Sequence, residues 1–208
     1  MALRTFVKIS AVNNLSDARY CSGMQVNLMG FDLEENSKNF TTSEKFKEIT
    51  DWLSGVRFVA EFEFSHPENI LETLKSYGGF EFIQIKEEIH LKMLVNTEYG
   101  IILKTNIKSA GDIKELTAKA DSYREHGVVL LLHSDNVELT KEVQAELKAL
   151  AEKCSVLVGF GFHTGNILEL IDQTGIKGIE MEGGDEIKPG LKDFDELADI
   201  LELLEIED

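Results

Sequence analysis

The chain has 208 residues, of which 43% are hydrophobic and 28% charged, with two prolines and two cysteines. This composition fits one ordered domain with a real core, near the lower size end of an eightfold βα barrel, and excludes a disordered or membrane-embedded chain. Thirty-eight acidic against 21 basic residues give a formal net charge of −17, which repels phosphate backbones and anionic bilayers, so neither nucleic acid nor membrane is expected as a partner.

A small anionic ligand is still compatible, because a site needs only local positive charge, part of which helix N-terminal amides can supply. Cys21 and Cys154 are too few for a disulfide framework and read as free thiols of a reducing cytoplasm. The N-terminal stretch passes directly into a strand-like run, without a signal-peptide pattern, and no apolar run reaches the ~20 residues of a membrane span. A cytoplasmic location is therefore expected.

Taken in chain order, short β-rich runs alternate with amphipathic helical stretches eight times. A strand at 3–10 leads to a helix at 15–22 with Asn14 as its N-cap. A strand at 25–31 and a loop at 32–42 precede a helix at 43–53. A strand at 57–64 is followed by Ser65-His66-Pro67-Glu68, which starts the third helix with proline in the first turn. Then come a strand at 80–86 with a short helix at 87–95, and a strand at 100–104 with a helix at 109–125. A strand at 128–133 precedes the longest helix, 137–153. A strand at 155–159 precedes a helix at 164–174, and a strand at 178–182 a helix at 193–204. The acidic end, 202–208, reads as a solvated helix terminus.

Val128-Val129-Leu130-Leu131-Leu132 is apolar at consecutive positions, as in a parallel strand covered on both faces. Leu139, Val143, Leu147 and Leu150 recur every three or four residues and give one buried helical stripe. Eight such units joined by right-handed crossovers predict a parallel closed sheet, a (β/α)8 TIM barrel, as one domain over 1–208. An open doubly wound sheet would carry a glycine-rich first turn, and Ser10-Ala11-Val12-Asn13-Asn14 is not one.

In such a barrel the site lies where the strands end. The polar residues there are Ser10, Asp32, Lys86, Lys104 and His133, with Gly159 and Gly161 after the seventh strand and Glu182-Gly183-Gly184 after the eighth. Five histidines show no i,i+4 pairing of a helical zinc site, so neither a metal nor a cofactor is expected. Cys21 falls inside the first helix and reads as a small buried side chain.

These residues resemble a known family. Val7-Lys8-Ile9-Ser10-Ala11-Val12-Asn13-Asn14, followed by Asp17-Ala18, is similar to the phosphoribosylanthranilate isomerase signature Val-Lys-Ile-Cys-Gly-Ile-Thr-Asn and its Asp-Ala. Gly184-Asp185-Glu186-Ile187-Lys188-Pro189-Gly190-Leu191-Lys192-Asp193 resembles that family's Gly-Val-Glu-x-x-Pro-Gly-x-Lys-Asp. Phe82-Ile83-Gln84-Ile85-Lys86 resembles its Val-Gln-Leu-His strand, and Leu131-Leu132-His133-Ser134 its Leu-Leu-Asp-Thr.

The resemblance implies aldose–ketose isomerisation in tryptophan biosynthesis. There a cysteine on the first strand takes the proton from C2′ and an aspartate on the sixth gives one to the ring oxygen. Backbone amides after strands seven and eight hold the phosphate, and an arginine after strand two meets the anthranilate carboxylate. Carried over by position, the two catalytic places are Ser10 and His133, and the arginine place is Asn39, with Lys38 beside it. Lys8, Lys86, Gly161, Glu182, Gly183 and Gly184 fall at the implied ligand-binding places.

The departures have chemical weight. A thiol near pKa 8.5 can be tuned into a base, whereas a serine hydroxyl accepts a proton only with another base behind it. An imidazolium at His133 still serves as a general acid. Ser10 and His133 would form a nucleophile–base pair if the fold brought them into contact. Asn39 bonds a carboxylate without charge, Glu182 puts a negative charge beside the expected phosphate, and Phe160 replaces one glycine of a Gly-Gly pair. Lys8, Gln84, Lys86 and Lys104, with Glu61, Glu63 or Glu180, can form a buried ion network or a ligand-binding set. Two functions follow: an isomerase of this type, or a divergent or inactive relative that binds a different small ligand, phosphorylated or not. A monomer or homodimer fits either.

Overall fold

The computed structural model describes residues 2–183, 186–188, 191–192 and 195–206. Eight parallel strands close on themselves: β1 (Phe6–Ser10), β2 (Leu28–Asp32), β3 (Arg57–Glu61), β4 (Phe80–Ile85), β5 (Gly100–Asn106), β6 (Val129–His133), β7 (Ser155–Val158) and β8 (Gly178–Glu182). Closure is made at β1, where Lys8 stands in register with Leu28 on one side and Glu180 on the other. The helices are α1 (Leu15–Gly23), α2 (Ser43–Thr50), α3 (Pro67–Leu74), α4 (Leu91–Leu94), α5 (Ala110–Glu125), α6 (Lys141–Ala151), α7 (Ile167–Thr174) and α8 (Asp195–Leu204). No helix among the described residues is long and apolar enough to cross a membrane.

Alternation along the strands sorts two cores. Val7, Ile9, Ile83, Ile85, Ile179 and Met181 face outward into the large cluster shared with the helices. Inside the barrel, Leu28, Val59, Ile102, Val129, Leu131 and Leu157 make a small apolar layer toward the strands' N-terminal half. Further along the same inward faces the side chains turn polar: Ser10 after Lys8, Asp32 beyond Gly30, and, two residues past the inner layer on their strands, Glu61, Gln84, Lys104 and His133. A packed apolar plug thus carries a polar upper layer.

Two glycines make room for that layer. A Cβ at Gly30 would overlap the Glu61 carboxylate, and one at Gly159 would sit 2.5 Å from Glu180 Oε2. Ala11 works the other way. It follows Ser10 directly and holds a left-handed backbone, φ 54°, at the place where the resemblance has glycine. That conformation costs a Cβ-bearing residue about 1–2 kcal/mol, partly offset by the greater unfolded-state freedom of glycine. Ala11→Gly is therefore expected to raise stability by about 0.5–1 kcal/mol, measurable as a higher denaturant midpoint at unchanged slope.

Several boundaries differ from those expected, each for a local reason. Ala2–Leu3 leaves the first strand to pair antiparallel with Glu205–Ile206. The third strand stops at Glu61 because the chain turns under Glu34. That carboxylate accepts from the amides of Glu63, Phe64 and Ser65 and from the Ser65 hydroxyl, all within 3.2 Å. The sixth helix starts at Lys141, with Thr140 capping Val143 N, because Ser134 Oγ accepts from Val137 N at 3.1 Å and holds a loop. The seventh starts at Ile167, after a turn closed by His163 and Asn166. Asn14 caps α1 through Asp17 N, as the sequence suggests. A hairpin of Glu186–Lys188 and Leu191–Lys192, unforeseen in the sequence, follows β8.

The Glu34 clip carries a pH signature. Partial burial pushes its carboxyl up, but the hydrogen bonds from Phe64, Ser65 and Glu63 outweigh this and leave it below its ordinary value. A lowered carboxyl contributes stability above its unfolded value, and the contribution is lost as pH falls through the folded one. Glu34→Ala should cost about 1–2 kcal/mol at neutral pH, discounted for partial exposure. The difference from the parent should shrink below about pH 4, as read from urea unfolding at pH 7 and pH 3.5.

Candidate active site

The inward polar residues meet in a cavity of about 430 Å³ at the C-terminal ends of the strands. Its floor is a chain of short contacts. Lys8 Nζ donates to Glu61 Oε1 at 2.5 Å and also to the Ser10 hydroxyl. Ser10 donates to Glu180 Oε1 at 2.5 Å, and the Ala11 amide donates to Glu61 Oε2 at 3.0 Å. Lys8, Ser10, Glu61 and Glu180 are all buried. Burial pushes the Glu61 carboxyl up, but the Lys8 ammonium and these hydrogen bonds prevail and hold it below its ordinary value.

Lys104 stands above this floor, 3.6 Å from Glu182. Burial alone would lower its ammonium, yet Glu180, Glu182, Glu61 and Glu63 together raise it. An amine held protonated in this way is not a Schiff-base nucleophile near neutral pH; it is a fixed cation among carboxylates. Asp32 is shifted upward, chiefly by burial, against the opposing bonds from Ser37 and the Glu34 amide. At the rim Lys86 pairs with Glu63 and lies 5.7 Å from the ring centre of the exposed Phe64.

His133 closes β6 and lines the same cavity. Its Nε2 is 3.5 Å from Asp135 Oδ1, while Nδ1 is enclosed and has no hydrogen-bond partner among the described residues. Ser10 bonds to Lys8 and Glu180, not to His133, so the two do not form a nucleophile–base pair. They line one cavity instead, where a ligand can lie between them. Gln84 lines it too; it is buried, and its Oε1 likewise has no partner among the described residues.

The remaining expected positions divide. Asn39 lines the mouth and accepts from Asn13 Nδ2 at 3.4 Å, and Lys38 lines it as an exposed side chain. Glu182 is on the mouth. The Gly183 amide is committed to the Ser10 carbonyl at 3.0 Å. Gly161 lies outside the cavity, and its carbonyl accepts from Asn166. The His163 amide goes to Asn166 Oδ1 at 2.8 Å and the Gly165 amide to His163 Nδ1 at 3.1 Å. Phe160 packs into the outer core instead of crowding the mouth. Gly184 lies outside the described residues.

Asn106 and Asp135 also line the cavity and were not singled out in the sequence. Asn106 had a signal, being two residues past Lys104 on the inward face of β5. Asp135 is in a loop beyond the strand and had none. Among the described residues no group of three or more His, Cys, Asp or Glu side chains is placed to hold a metal.

Fold and site together define a (β/α)8 barrel with ionisable side chains gathered at the C-terminal ends of its strands. No protein-family model matches the chain. It is 27% identical to the N-(5'-phosphoribosyl)anthranilate isomerase of Aquifex aeolicus over 203 residues, covering 94% of this chain and 96% of the relative. It is 22% identical to the same-named protein of a Sulfurihydrogenibium species over 207 residues, covering 95% and 98%. Among solved structures, phosphoribosyl anthranilate isomerase from Thermotoga maritima superposes with a TM-score of 0.77 at 21% identity, covering 96% of this chain and 98% of that one. The chain is thus similar over nearly its whole length, at low identity, to proteins named phosphoribosylanthranilate isomerase.

Proposed function

We propose that the chain is a phosphoribosylanthranilate isomerase-like protein that carries out an aldose–ketose isomerisation, the tryptophan-biosynthetic reaction for which its relatives are named. The observation that carries this reading is the 2.5 Å contact from Ser10 to Glu180. It puts a carboxylate behind the hydroxyl at the place where the family has its proton-accepting cysteine, and so supplies the base that a serine lacks on its own.

The chemistry then runs between two ends of one cavity. Protonated His133 gives a proton to the ring oxygen. The C1′–O bond breaks as the amine lone pair forms C1′=N. Ser10 Oγ takes the C2′ proton as its own proton passes to Glu180; the C–H electron pair becomes the C1′=C2′ bond while the C1′=N π pair returns to nitrogen, and the enol then becomes the ketose as the C2′ hydroxyl loses its proton and C1′ gains one from solvent. Lys8 orients Ser10 and balances the charge on Glu61. A cytoplasmic location, and a monomer or homodimer, go with this reading.

The test is the purified protein with phosphoribosylanthranilate, followed by loss of substrate fluorescence. Turnover well above the uncatalysed rate is expected; no rate above background removes the proposal. A second reading, a relative rebuilt for another small ligand, is favoured by the commitment of the loop amides and by Glu182. It predicts no gain of activity on making Ser10→Cys with His133→Asp, whereas a merely disarmed isomerase would gain.

A further inference from the structure

We infer that Glu34 is a positioning residue for ligand binding: it ties the loop after β2 to the loop after β3 and so sets one wall of the mouth, a role that rests on the isomerase reading for the identity of the ligand.

Glu34 acts on both loops at once. Its amide donates to Asp32 Oδ1 at 2.9 Å and its carbonyl accepts from the Ser37 amide at 2.9 Å, which folds the first loop back on itself. Its carboxylate crosses to the second loop. Oε2 accepts from the consecutive amides of Glu63, Phe64 and Ser65, the longest at 3.2 Å, and Oε1 accepts from the Ser65 hydroxyl at 2.8 Å. Successive amides aimed at one point form a nest that suits an anion, and here the anion comes from the neighbouring loop. Bonds to an ionised acceptor are roughly twice as strong as neutral ones, so this is the main tie between the two loops.

What the tie holds is lining. Ser37, Lys38 and Asn39 reach the cavity from the first loop, and Phe62 and Glu63 from the second. Ser37 donates to Asp32 and accepts from the Asn39 amide at 3.1 Å, so Asn39 and Lys38 follow the fold that Glu34 fixes. On the other side Glu63 pairs with Lys86, so the place of that ammonium at the rim depends on where the clip leaves Glu63.

The reacting groups are placed by other means. Ser10, Glu180 and His133 stand on β1, β8 and β6, held by the sheet and by the Ser10–Glu180 bond. Losing Glu34 therefore loosens a wall and leaves acid and base where they are. A shift of about 1 Å in a substrate-positioning group can cost about 10²-fold. Here the loss falls on binding and spares the chemical step.

Steady-state kinetics of the whole chain with phosphoribosylanthranilate, together with amide hydrogen exchange, test this. Glu34→Ala should raise KM by about tenfold or more and change kcat by less than about threefold. The amides of residues 63–65 should then exchange at least about tenfold faster. Glu34→Gln should bring KM back to within about threefold of the parent, because its amide oxygen can take the three N–H bonds while its NH2 donates to the Ser65 hydroxyl. Ser65→Ala removes one bond only and should raise KM by about twofold or more, which decides the matter if Glu34→Ala fails to fold. An unmoved KM in a folded Glu34→Ala, a loss in kcat alone, unchanged exchange, or a Glu34→Gln as impaired as Glu34→Ala would overturn it. Without turnover by the parent, the fluorescence of the substrate gives Kd in place of KM. Binding that weakens in Glu34→Ala without turnover by the parent would sink the isomerase reading alone. Turnover with a KM that Glu34→Ala leaves unmoved would sink the positioning role alone.

Discussion

Replacing Glu180 with glutamine is expected to slow isomerisation of phosphoribosylanthranilate by about 10²–10⁴-fold, the range for loss of a general base. Glutamine keeps the size of the side chain and an oxygen to accept the 2.5 Å bond from Ser10, so Ser10 stays in place. What is lost is the ability to take the proton that Ser10 must shed before it can receive one from carbon. The defect should fall on kcat, with KM little changed, because the group acts in the transition state and not in ground-state binding. Ser10→Ala should match it, and the double variant should lose no more than either alone, since the two act as one unit. Ser10→Cys should retain activity, because a thiol serves as a base without the relay. Equal rates for the parent and Glu180→Gln would show that Glu180 only supports the structure.

The second large effect is on stability. Lys8→Met should destabilise the fold by about 3–5 kcal/mol, the cost of stranding one partner of a buried ion pair. Lys8 is fully buried, and its ammonium is 2.5 Å from Glu61. Without it the Glu61 carboxylate lies inside the barrel with only the Ala11 amide and its neighbours for company. In the parent, Glu61 is held below its ordinary value by Lys8 against the opposing effect of burial. It therefore contributes stability above its unfolded pKa that fades as pH falls. In the variant burial is opposed only by the remaining Ala11 and Ser10 hydrogen bonds, the carboxyl rises, and protonation relieves it. The gap between parent and variant should accordingly narrow as the pH is lowered toward 4. Lys8→Met with Glu61→Leu should recover most of the loss, since apolar replacement of a whole buried pair is often neutral. Denaturant unfolding of the parent and the two variants at two pH values decides this; a loss in Lys8→Met that the second change leaves untouched would contradict it.

The barrel was legible because its determinants are local. Consecutive apolar residues such as Val128 to Leu132 and the Leu139–Leu150 stripe record burial on two faces and on one, and six of the eight strand ends were marked by a change to polar residues. Helix starts were less legible where a loop side chain holds the backbone: Ser134 and Asn166 delay α6 and α7 through contacts that periodicity does not encode.

The site was half legible. Their place at strand ends put Ser10, Lys104 and His133 near one another, and the resemblance pointed Gln84 into the barrel and suggested what such residues do. The sequence could not say whether Glu61 and Glu63 face inward, because alternation allows either face; the strand ends at Glu61, where Glu34 holds the following turn from another loop. It could not show that Glu180 reaches Ser10, or that Gly30 and Gly159 exist to clear space for carboxylates on neighbouring strands. Those are contacts across the sheet, fixed by register, with no trace in either strand read alone.

The most direct test of proton transfer at this mouth is isomerisation of phosphoribosylanthranilate in deuterium oxide, with the product read by mass spectrometry. The parent protein should yield ketose carrying a single carbon-bound deuterium at C1′, formed well above the uncatalysed rate, and Glu180→Gln should form almost none. Ketose formed no faster than without protein, or formed equally fast by the parent and Glu180→Gln, would contradict a Ser10–Glu180 base.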